Sequence, residues 1–157
     1  MQTGLLAELR AREAEIHGRW AELLRVEPVN TPLAHPDALA HLIDWTLAEI
    51  FRELATGPRR RRNHHAAFTS NRSLCVCGRN PLLAYFDAAG QALREALIFA
   101  QATHAPLDPV ERDASLDELN FILNEVARRE IEAFCGVCQH RLKPHEHSEC
   151  PAVPAHA

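Results

Sequence analysis

The sequence predicts an all-α protein, mainly a four-helix antiparallel bundle with a cysteine-rich metal knuckle at one end. Three observations carry that expectation. Four stretches place apolar residues at three- and four-residue steps, the period of a helix with one buried face. Capping residues and prolines punctuate those stretches. Alanine and leucine dominate, while glycines number 6 and aromatics make up 6%, which favours helix over sheet.

The first helix is expected from about Gly4 to Arg25, with Leu5, Leu6, Leu9, Ile16, Trp20, Leu23 and Leu24 on one face. Pro28 and Pro32 break it, because proline lacks an N–H and clashes with the preceding turn. The second starts at Pro36, which suits a first turn. Its buried stripe is Leu39, Leu42, Ile43, Leu47, Ile50, Phe51 and Leu54, and Gly57-Pro58 ends it. Residues 57–80 then form a long connection without a period.

The third helix begins at Asn80-Pro81, an N-cap followed by a proline at the first helical position. Leu82, Phe86, Ala89, Leu93, Ala96, Leu97 and Ala100 follow at helical spacing. Gly90 in its middle is expected to mark a close helix crossing, with a small-molecule contact at that level as the alternative. A turn of helix can follow Pro109, and the fourth helix is expected to start at Ser115, which forms a capping-box pattern with Glu118. Leu119, Ile122, Leu123, Val126, Ile131 and Phe134 face inward, and the helix ends near Gly136. Each helix alone is marginal in water, so the shared stripes must hold them together. Residues 1–143 form one domain, and residues 144–157, which lack an apolar period, form a flexible tail.

Five cysteines are present, four of them in two close pairs. Cys75 and Cys77 precede the third helix, and Cys135 and Cys138 end the fourth. In an up-down bundle those positions share one end. Four thiolates at about 2.3 Å complete a tetrahedral zinc site of the structural kind. Gly78 and Gly136 would supply positive φ angles and free backbone N–H groups near sulfur. His140, His64 and His65 are extra candidate ligands, against the plainer reading of solvated loop histidines. An iron–sulfur cluster takes the same four thiolates and is the alternative cofactor. The blandest reading is free or buried cysteines. Thiol–disulfide exchange is disfavoured, because the dipole at a helix C-terminus opposes thiolate formation. His145, His147 and Cys150 form a second cluster in the tail, read as adventitious. His17 and His41 fall within helices.

Arg59, Arg60, Arg61 and Arg62 make the strongest local charge in a chain of net charge −4. Such a run can bind nucleic acid or another polyanion with steep salt dependence, or it can be only a solvated loop. No Gly-rich phosphate loop, Gly-x-Ser-x-Gly elbow or His-Glu-x-x-His motif occurs, and a four-thiolate zinc has no open position to activate water. No Glu-x-x-His pair suits a di-iron bundle. An enzyme is therefore not expected. No segment has the apolar length of a membrane span, and the first residues lack a basic signal region, so a cytoplasmic location without a membrane partner is expected.

The stretch EIHGRWAELLR, residues 15–25, followed by a leucine-rich second helix ending near Leu54, resembles the RsbRD-type N-terminal helical sensory domain of bacterial stress regulators. The likeness rests on Ile16, Arg19 and Trp20 and on the helix layout of the first half of the chain. It implies a sensing or interaction module without turnover and carries over no binding residue. The expected role is a small interaction or regulatory protein with a protein partner. The alternatives are a metal- or redox-responsive sensor using the same thiols, and a nucleic-acid adaptor using Arg59 to Arg62.

Overall fold

A computed structural model describes residues 1–26, 35–56, 80–103 and 107–137. Among the described residues every regular element is a helix: α1 (Thr3–Ala11), α2 (Glu13–Val26), α3 (Pro36–Ala40), α4 (Ile43–Thr56), α5 (Leu82–Thr103) and α6 (Pro109–Val137). The all-α expectation holds. Two of the four expected helices are instead each two segments.

The first is interrupted at Arg12, whose backbone sits at φ −97°, ψ 13° and whose N–H bonds the Leu9 carbonyl at 3.2 Å, three residues back. The ladder resumes at once, with the Ile16 N–H on the Arg12 carbonyl at 2.9 Å. This is a kink, and it has a sequence cause. Between Leu9 and Ile16 the apolar stripe skips a turn, because Arg12 and Glu13 stand where the next inward residue would fall. Half-buried Arg12 and exposed Glu13 give that turn no apolar anchor, and the helix bends there while α1 and α2 both pack on α4 and α5.

The second helix is interrupted at His41 and Leu42. Leu42, expected in the stripe, is 41% exposed. Its N–H bonds the Leu39 carbonyl at 3.0 Å, three residues back, and its own carbonyl accepts both the Thr46 N–H at 3.0 Å and the Thr46 hydroxyl at 2.9 Å. Leu39, Ile43, Leu47, Ile50, Phe51 and Leu54 are buried as expected.

The third helix starts as its cap signals. The Asn80 Oδ1 accepts the Leu82 N–H at 2.9 Å and the Asn80 carbonyl accepts that of Leu83 at 3.2 Å. The fourth starts earlier than the Ser115 capping box implies. Asp108 Oδ1 accepts the Val110 N–H at 3.0 Å, and Pro109 opens the helix. Asp108-Pro109 thus repeats the chemistry of Asn80-Pro81. Ser115 lies inside α6, where its hydroxyl donates to the Glu111 carbonyl at 2.8 Å, and Glu118 pairs with the Met1 amino group instead of capping.

Helix α5 is central. It packs against α1, α2 and α6, while α4 packs against α1, α2 and α6, and α3 leans on α2. Small residues let neighbours approach: Ala88, Ala89, Gly90, Ala92, Ala96 and Ala100 are all buried. A Cβ on Gly90 would meet Leu123 Cδ2 at 3.1 Å, which confirms a close crossing of α5 and α6. Pairings along that crossing run in opposite directions. Asn80 meets Ile131, Arg94 meets Asn120 and Gln101 meets Arg112, so α5 and α6 are antiparallel. The core gathers Leu5, Leu9, Ile16, Trp20, Leu47, Leu93, Leu97, Leu119 and their neighbours into one cluster. No helix among the described residues is long and apolar enough to cross a membrane.

Candidate functional site

The antiparallel pairing brings the start of α5 to the end of α6, and one contact fixes that pole. Asn80 is 4% exposed. Its side-chain oxygen caps α5, and its Nδ2 donates to the Ile131 carbonyl at 3.2 Å and to Cys135 Sγ at 3.3 Å. The orientation of the carboxamide follows from its partners. Turned over, Nδ2 would face the Leu82 N–H, and the oxygen would face a carbonyl and a sulfur. Cys135 is half-buried in the last turns of α6 and rests against the core. An amide N–H aimed at a cysteine sulfur is the arrangement that steadies thiolate charge in metal centres.

The surroundings of this pole are apolar on the α5 side. Tyr85 and Phe86 follow one turn after the cap, both buried, with ring centroids 5.1 Å apart in an edge-on pair. On the α4 side charge closes the surface. Glu49 accepts hydrogen bonds from Arg52 at 2.6 Å and Arg129 at 2.8 Å, and these hold its carboxyl below its ordinary range against the opposing effect of burial. Arg129 thereby ties α6 to α4 within two turns of Cys135.

Of the expected metal ligands, Cys135 lies within the described residues. Cys75, Cys77, Cys138, His64, His65 and His140 lie outside them, as do Arg59 to Arg62 and the tail from 144 to 157. Among the described residues no three His, Cys, Asp or Glu side chains gather as a metal-holding group. Two local expectations are corrected. Gly136 is helical with no positive φ and open space around a Cβ, so its role as a left-handed hinge inside the pair is not met. Phe134 is half-buried, because the last turns of α6 run past the packed face. His41 lies in the α3–α4 turn, and His17 Nε2 sits 3.4 Å from Asp44 Oδ1 on the surface.

The residue that sequence reasoning passed over is Asn80. Its capping role was legible, because Asn-Pro marks a helix start. Its contact with Cys135, 55 residues away, leaves no trace in spacing and comes only from the register of α5 on α6. Comparison with protein-family profiles, with curated protein sequences and with solved structures finds no match to this chain.

Proposed function

We propose that this chain is a small helical interaction or regulatory protein, a bundle whose α5–α6 pole is tied by a structural zinc held by Cys75, Cys77, Cys135 and Cys138. The observation that carries the proposal is the Asn80 Nδ2 to Cys135 Sγ contact at 3.3 Å. Cys77 precedes Asn80 by three residues, Cys75 precedes it by five, and Cys138 follows Cys135 by three. Three residues of fully extended chain span at most about 11 Å and five about 18 Å, so covalent reach permits all four thiols to converge at this contact. Two cysteine pairs brought within such reach are the raw material of a tetrahedral thiolate site. Such a site adds folding energy at the one pole where α5 and α6 have no short connection. The RsbRD-like first half of the chain and the absence of catalytic motifs favour a binding role over turnover.

Elemental analysis of protein purified with and without oxygen tests the proposal. About one zinc per chain is expected. Cys135→Ser should lower metal content and thermal stability together. Iron with acid-labile sulfide would replace zinc by a cluster on the same thiols. Metal-free wild-type protein, or a Cys135→Ser variant unchanged in both measurements, would remove the metal centre.

A further inference from the structure

We draw no further inference here: the strongest candidate, the apolar surface exposed by Ile98 and Phe99 in the last turns of α5 and by Val110 in the first turn of α6, carries none, because nothing in the structure shows what covers it.

Discussion

Trp20 holds Tyr85 by two independent means. Its indole N–H donates to the Tyr85 carbonyl at 3.1 Å, and the two rings lie 4.7 Å apart. The chain of bonds continues through the phenol. Thr46 spends its one hydroxyl proton on the Leu42 carbonyl at 2.9 Å, so the 2.8 Å contact with Tyr85 must have Tyr85 as donor. Four elements meet there: α2, α5, α4 and the α3–α4 turn. Every polar atom in that line has a partner, which is the condition for keeping it inside the core.

Trp20 is fully buried, so its truncation should be among the costliest in the chain. Trp20→Ala should destabilise by about 3–5 kcal/mol in urea unfolding. Trp20→Phe, which keeps most of the volume but loses the donor, should cost about 1–2 kcal/mol. An Ala variant within about 1 kcal/mol of wild type would place Trp20 outside the core.

Burial pushes the Tyr85 hydroxyl well above its ordinary value. The sign of the pH effect follows. A group whose native pKa is raised stabilises fully below its unfolded pKa and loses that contribution as pH climbs. Stability should therefore fall above about pH 10 by up to about 1.4 kcal/mol per pH unit from this group. Tyr85 is the single tyrosine, so tyrosinate absorbance follows it alone. That absorbance should appear only with unfolding, and Tyr85→Phe should flatten the pH slope by that amount. Ionisation of Tyr85 in a fully folded chain near pH 10 would contradict the buried phenol.

Two helical glycines should respond oppositely to alanine. Gly18 has open space around a Cβ, so Gly18→Ala should stabilise by about 0.5–1 kcal/mol through helix propensity. At Gly90 the new methyl meets Leu123 Cδ2 at 3.1 Å and the Arg94 guanidinium at 2.8 Å. The guanidinium can swing away, at the cost of its 2.9 Å bond to Asn120 Oδ1, but Leu123 is 3% exposed and has little room. Overpacking should outweigh propensity, and Gly90→Ala should destabilise by about 1 kcal/mol in the same assay. Equal gains at both sites would mean that the α5–α6 crossing is looser than described.

The start of α6 offers a third comparison. Asp108→Ala removes the acceptor for the Val110 N–H and should cost about 1 kcal/mol. Ser115→Ala removes only a bond to the Glu111 carbonyl within the helix and should stay within about 0.5 kcal/mol of wild type. The reverse order would restore the capping box as the true helix start.

How far the fold was legible depended on whether a signal was local. The stripe of α5 and its Asn80-Pro81 start were readable, because cap, proline and apolar period coincide within a few residues. The start of α6 was misplaced to Ser115, because the apolar period begins at Leu119 and the first two turns bury little to reveal them. The kink at Arg12 did have a signal, the missing inward residue between Leu9 and Ile16, but a seven-residue gap still fits one helical face. The exposure of Leu42 had none, since an apolar residue in phase with a buried stripe looks buried, and the break at His41 and Leu42 carries no proline or glycine to mark it. At the candidate site, the convergence of the start of α5 with Cys135 followed from the antiparallel pairing. The remaining thiols lie outside the described residues, and the amide that touches the sulfur came from register alone.

The crowding of small side chains around α5 also sets where the molecule can breathe. With α1, α2 and α6 leaning on it, the middle of α5 from Phe86 to Leu97 keeps only the narrow strip of Asp87 and Gln91 in solvent and buries or half-buries the rest of its surface. Its amides should trade deuterium only when the whole chain comes apart, while those flanking the bend at Arg12 trade through small local excursions. Helix α5 is then the clock of the fold: its slowest amide measures the free energy of the entire structure.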